Sequence, residues 1–253
     1  MNGITIPPAN QLLRLPGAVI KIYREPWRAH TERTALQQLA KAGIPAPPIL
    51  GADSLGTRPF LVLGHLPGTT ADRTEAAVRR ALTYLHTVHQ LTGPAYGRLN
   101  APTAGSWSGY LHQRLRSYRD ALCHHQLPAV ARTAQRVMDR ALPEPTAPCL
   151  LHNDPEPTNF LLADDAIIGI DWELAIYGDP DLDHARAGHA FRVRPTRLRE
   201  ILTDLAIPHS IDALHTYSTV HILGRLMSAV TANPPDRAAA QLYLNALTTQ
   251  SIP

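Results

Sequence analysis

The hydrophobic pattern is mainly strand-like, with one helix, over the first 65 residues and mainly helical from residue 74 onward. Residues 17–23, Gly-Ala-Val-Ile-Lys-Ile-Tyr, form an alternating, strand-like segment, and Pro59-Phe60-Leu61-Val62-Leu63 reads as a buried strand. Between them, residues 31–40 carry a helical pattern stopped by Gly43 and Pro45, with Lys41 at the end where a cation meets the helix dipole. The proline-rich residues 44–50 can only be a connection or an edge. From Thr74 the spacing becomes helical: Val78, Leu82, Leu85 and Val88 fall on one side of a helix predicted over 74–90. Further helices are expected over 107–123 and 129–142, near 194–205, over 211–230 and over 236–248, the last two parted by Asn233-Pro234-Pro235. Two short apolar runs, 160–163 and 166–170, flank Asp164-Asp165 and read as a hairpin. The plan is α+β: a small, strand-rich lobe over 1–65, a hinge at Gly64-His65-Leu66-Pro67-Gly68, and a larger, mainly helical lobe over 66–253.

The hairpin sits inside the most chemical stretch of the chain. His152-Asn153-Asp154 precedes Asn159 by a few residues, and the second strand runs into Asp171-Trp172-Glu173. Phosphoryl transfer needs positioning and charge neutralisation, which carboxylates, an amide and magnesium supply. Asp154, with His152 beside it, is the candidate catalytic pair, Asp154 accepting or orienting the proton of a substrate hydroxyl. Asn159 and Asp171 offer oxygen ligands to Mg2+. A hairpin would bring both to one end.

The run His-x-Asp-x-x-x-x-Asn, then Asp-Trp-Glu, then Gly178-Asp179-Pro180-x-x-Asp183, resembles the aminoglycoside phosphotransferase and choline kinase superfamily, and in motif most of all its choline and thiamine kinase branch. The resemblance implies a bilobal, protein-kinase-like fold and ATP as phosphoryl donor, GTP being undistinguished by these residues. It implies that Lys21 touches the nucleotide phosphates with Glu32 as its ion-pair partner, and that Leu63, Gly64 and His65 hold the adenine by position. The small lobe is short, only 20 residues precede Lys21, and no glycine-rich phosphate loop occurs, so the phosphates are expected to be held mainly by Lys21 and the metal, with backbone amides of the turn over 7–11 as a weaker candidate. The family's acceptor lies between the catalytic loop and the helical segments. Glu156, Glu173 and Asp204 are the acidic candidates to meet it, and Glu156 beside the base suits a cationic, amine-bearing acceptor, although it also reads as a surface residue held out by Pro155 and Pro157.

Composition narrows the classes. Of 24 basic residues only Lys21 and Lys41 are lysine, so an ammonium placed at 21 is a choice the chain makes nowhere else in a strand. A net charge of +3 implies neither nucleic acid nor membrane as partner. Arg114, Arg116, Arg119, Arg132, Arg136 and Arg140 are read as a solvated face, and an RNA-binding module would have only that count behind it. No run of about 18 apolar residues appears, and the expectation is a soluble, cytoplasmic enzyme. Two cysteines are too few for a disulfide framework, and in Cys123-His124-His125 adjacent helical residues point apart, against a zinc site. The reading is a small-molecule O-phosphotransferase, with a nucleotide-binding pseudokinase as the alternative.

Overall fold

A computed structural model describes residues 10–163 and 166–249. Its first sheet joins β1 (Gln11–Leu15), β2 (Ala18–Ile22), β3 (Ile49–Leu55) and β4 (Arg58–Gly64) in the order β1-β2-β4-β3, all antiparallel. Helix α1 (Pro26–Lys41) crosses between β2 and β3. It starts at Pro26 rather than at residue 31: proline suits a first helical turn, where its missing N–H costs nothing. Leu36 and Leu39 of α1 pack with Tyr23 and Leu61 in the main core.

After β4, β5 (Thr69–Thr70) pairs with the first strand of the hairpin predicted over 160–170, and α2 (Glu75–Val88) begins at Thr74, whose hydroxyl caps the Ala77 N–H. Strands β6 (Tyr96–Arg98) and β7 (Ala101–Ala104) lead into α3 (Trp107–His124) and α4 (Pro128–Met138). Strand β8 (Cys149–Leu151) leads into the loop that carries His152 and Asp154, β9 (Phe160–Ala163) and β10 (Ala166–Gly169) form the expected hairpin, and β11 (Ile176–Gly178) pairs with β6 and β8. Residues 164–165 lie outside the described residues. Helices α5 (Pro180–Ala190), α6 (Pro195–Asp204), α7 (Ile211–Thr231) and α8 (Arg237–Thr249) complete the chain. The result is the small sheet lobe and larger helical lobe that the pattern predicts.

Helix α5 is absent from the sequence reading. It has no amphipathic stripe because carboxylates, not apolar side chains, are buried in its first turn: Asp181 and Asp183 lie inside with Leu182. Gly178 just ahead of it leaves room for Trp107, whose ring would stand 2.5 Å from an added Cβ. No described helix is long and apolar enough to cross a membrane.

Candidate active site

The loop from His152 to Glu156 is held from below by Asp183. This carboxylate, fully buried, accepts the N–H groups of His152 and Asn153 at 2.8 Å each and faces His89 Nε2 at 3.2 Å. Burial by itself would raise its pKa, but the hydrogen bond and charge of His89, the charge of His152 and the Asn153 amide outweigh burial and hold it below the ordinary carboxylate value. Asn153 turns the chain with φ 67°, a left-handed conformation that asparagine tolerates better than most residues, and its Nδ2 donates to Leu174 O at 2.7 Å.

His152 is not placed for catalysis, contrary to expectation. It is fully buried, its Nε2 lies 2.9 Å from Ile170 O, and its ring lies 4.4 Å from that of Trp172. It locks the loop onto the hairpin. The neighbouring Asp154 instead faces a cavity, and Asn159 Nδ2 donates to its carbonyl at 2.9 Å and to its carboxylate at 3.1 Å. That bond aims the Asn159 amide; its oxygen takes no hydrogen bond from the described residues. Ile170 N–H donates to Asn159 O at 2.9 Å, so the hairpin brings Asn159 and Asp171 to one end. Asp171 follows with φ 65°, and its side chain is 41% exposed.

Lys21 reaches this end from the other lobe. Its Nζ lies 2.6 Å from Glu32, 2.5 Å from Asp171 and 2.9 Å from Glu173. Burial alone would drive the ammonium's pKa down, yet the three carboxylates outweigh it and hold the pKa above lysine's usual value. Glu32 is fixed by Tyr23 Oη at 2.7 Å and by Trp172 N–H at 3.3 Å. Glu32, Asp171 and Glu173 present carboxylate oxygens within 4.8 Å of one another, a cation cage with the lysine ammonium against it. Glu173, expected on the acceptor side, belongs to this cage: Arg28 and Asn10 hold its other contacts at 2.6 and 2.5 Å.

Two further expectations are corrected. At the hinge, the Gly64 N–H donates to Pro48 O at 2.8 Å and the His65 N–H to Gly17 O at 3.0 Å, so neither amide is left for a base, and Leu63 sits buried inside β4. The turn over 7–11 lies mostly outside the described residues, and Gln11 is already strand β1. Asp204 ends α6 with a half-exposed side chain and pairs with Arg79 at 2.6 Å, away from the Asp154 cavity.

That cavity, of ≈ 160 Å³, is lined by the catalytic loop from Asn153 to Glu156 and by side chains of α3, α5 and α7, among them Arg114, Arg186, His221 and Arg225. Arg114 is not on a solvated face; it turns inward to the hydroxyls of Tyr118 and Tyr110. Glu156 lies 3.9 Å from Arg225, and burial followed by the charge of Asp154 raises its pKa. Three guanidiniums against Asp154 and Glu156 do not favour the cationic acceptor expected from Glu156 alone. Asp183 stood in the family motif without a role and Arg114 was read as solvated, whereas His89, Arg186 and Arg225 carried no signal beyond the spacing of Arg186 one helical turn after Asp183. A larger cavity of ≈ 660 Å³ lies between α5, α6 and α7 and does not reach Asp154.

Comparisons agree with this architecture. A choline/ethanolamine kinase family protein from Mesorhizobium loti superposes with a TM-score of 0.71 at 19% identity, over 98% of this chain and 89% of that one. A thermostable mutant of aminoglycoside phosphotransferase APH(4)-Ia gives 0.68 at 17% identity, over 96% and 94%; related forms were solved with AMP-PNP or ADP and hygromycin B. Choline kinase LicA from Streptococcus pneumoniae gives 0.63 at 14%, over 95% and 89%. No curated protein matches the chain significantly by sequence. The family model described as phosphotransferase enzyme family matches residues 12–214, most of the chain, and the protein accordingly belongs to that family as a small-molecule kinase.

Proposed function

We propose that this kinase transfers the γ-phosphoryl group of ATP to a hydroxyl of a small molecule bound beside Asp154. The observation that carries the reading is the contact of Lys21 with Asp171 at 2.5 Å, which closes two lobes on one point beside the Asn159–Asp154 pair. The division at residues 65 and 66 is part of the same reading.

The donor set fits magnesium: an uncommitted amide oxygen on Asn159 and an accessible carboxylate on Asp171, both hard oxygen ligands. Magnesium, when bound, would neutralise charge on the phosphate oxygens. Lys21, steadied by Glu32, positions the phosphates. Asp154 orients the acceptor hydroxyl and takes its proton as the new O–P bond forms and the bond to the leaving ADP oxygen breaks. Asn159, hydrogen-bonded to Asp154, keeps the base aimed. The use of ATP is supported by the nucleotide complexes of structural relatives.

The test is acceptor-dependent release of ADP with magnesium present and absent, in the wild type and in Asp154→Asn. The variant should bind ATP nearly as well and turn over about 10² to 10⁴ times more slowly, the range for a positioned base. Retained turnover in Asp154→Asn would remove the base assignment. Nucleotide binding with no transfer to any hydroxyl acceptor would establish a pseudokinase instead.

A further inference from the structure

The cavity beside Asp154 is charged unevenly. Arg114 spends its N–H groups on the phenol oxygens of Tyr118 and Tyr110 rather than on a carboxylate. Arg186, on α5, donates one N–H to Asn153 O, while its buried Nε has no partner. Neither guanidinium has a carboxylate within 4 Å among the described residues. The acid that Arg186 feels is Asp183, whose two oxygens already face His152, Asn153 and His89. Arg225, about half exposed, bonds Tyr243 Oη at 3.1 Å and reaches Glu156 only at 3.9 Å. His221, half-buried on the same wall as Arg186 and Arg225, is kept neutral by desolvation and by their charges, so it relieves none of their charge.

Arginine does not deprotonate in proteins. Two guanidiniums that repel one another in a partly desolvated wall, with an N–H left over, are complementary to an oxyanion, whose planar oxygens match the guanidinium fork. We infer that the acceptor is a small hydroxy acid whose carboxylate is bound by Arg186, with Arg114 and Arg225 around it, which makes Arg186 a specificity-determining residue. The inference rests on the kinase reading above. The transferring phosphate is the other oxyanion that could meet these arginines, but the cavity wall includes none of Lys21, Glu32 and Asp171, the groups at the nucleotide end. The size agrees with a small acceptor: ≈ 160 Å³ is close to the roughly 150 Å³ of a cavity that holds benzene. An ammonium in the same place would face three guanidiniums.

The experiment uses matched three- and four-carbon acceptors that differ in one terminus: glycerate and erythronate, their amides, and the corresponding amino alcohols such as aminopropanediol. Thermal stabilisation of the full chain with MgADP present reads binding, and ADP release from MgATP reads transfer. The acids should bind and react best, and Arg186→Met should raise the KM for the acid about 10²-fold, the scale of losing a buried charge-assisted bond, while amide and acid become nearly equal. Arg186→Lys should restore part of the acid preference. A panel in which no acid is preferred, or in which Arg186→Met leaves the acid-to-amide ratio unchanged, overturns the inference. So does an Arg186→Met effect that falls on the KM for ATP irrespective of acceptor, since the arginine would then serve the phosphate. If Arg186→Met does not fold, the wild-type panel and Arg225→Met decide by the same ratio. Acid binding without ADP release would leave the anion site standing and remove the kinase reading. Transfer to amines without preference for acids does the reverse.

Discussion

Lys21 shows what one residue's geometry demands. Its ammonium lies 2.5 to 2.9 Å from three carboxylates and its side chain is 7% exposed, so the pocket is shaped around a compact point charge. Lys21→Arg should therefore lose ATP affinity and turnover by amounts similar to Lys21→Ala, because a planar fork cannot sit where a tetrahedral ammonium does. The KM for ATP and kcat in both variants check this; wild-type values in the arginine variant would sever Lys21 from the nucleotide. Asn153 and Asp171 show a second demand. Both hold positive φ, as residues at functional sites often do, and both are among the types that bear it best.

Helix α5 is the element on which the site depends. Its three leading carboxylates each tie a different part: Asp179 accepts from Tyr217 Oη at 2.6 Å, Asp181 from the Ser210 N–H at the start of α7 at 2.8 Å, and Asp183 holds the catalytic loop. Trp107 Nε1 donates to Tyr217 Oη at 2.7 Å, so the phenol bridges α3 and α5. Tyr217→Phe would leave a buried indole N–H and a buried carboxylate oxygen unpaired, and should cost about 1–3 kcal/mol in urea unfolding. The α5–α7 contact also sets a pH response. His184, His189 and His221 all have pKa values below the usual 6.5, burial being the first cause in each, and for His221 the charges of Arg186, His189 and Arg225 add to it. A histidine with its pKa depressed in the folded state takes up protons more readily when unfolded, so stability is complete above pH 6.5 and falls as the pH drops below that value. Asp183, also depressed, begins to cost only below 3.8, and the raised Glu156 and Asp179 act in the opposite sense toward acid. Urea midpoints measured from pH 5.5 to 7.5 should decline toward acid in the wild type and less steeply in His221→Gln; a flat wild-type profile would contradict the neutral state of these histidines.

At the scale of the molecule, Lys21 and Glu32 stand in one lobe and Asp171 and Glu173 in the other, so a nucleotide bound between them joins the two. MgATP at a hundredfold excess over its Kd should stabilise the fold by about 2.7 kcal/mol, and neither Lys21→Ala nor Asp171→Ala should show that gain at the same concentration. Melting curves with and without MgATP decide it, and an undiminished shift in both variants would move the nucleotide elsewhere. The sequence by itself determined what is local and periodic: the strand around Lys21, the hairpin that sets Asn159 beside Asp171, the helix behind Thr74, and the two-lobe plan with its family motif. Those features depend on spacing and side-chain type, which a string of residues carries intact. Only the tertiary structure decided which polar groups meet across long separations. It turned His152 inward under Trp172, moved Glu173 into the lysine cage, left Asp204 on the surface with Arg79, occupied the hinge amides with Pro48 and Gly17, and gathered Arg114, Arg186 and Arg225 on one wall. A charged residue on a helix reads the same whether it faces water or a cavity, because its partners come from elements far away in sequence and burial is a property of the packed whole.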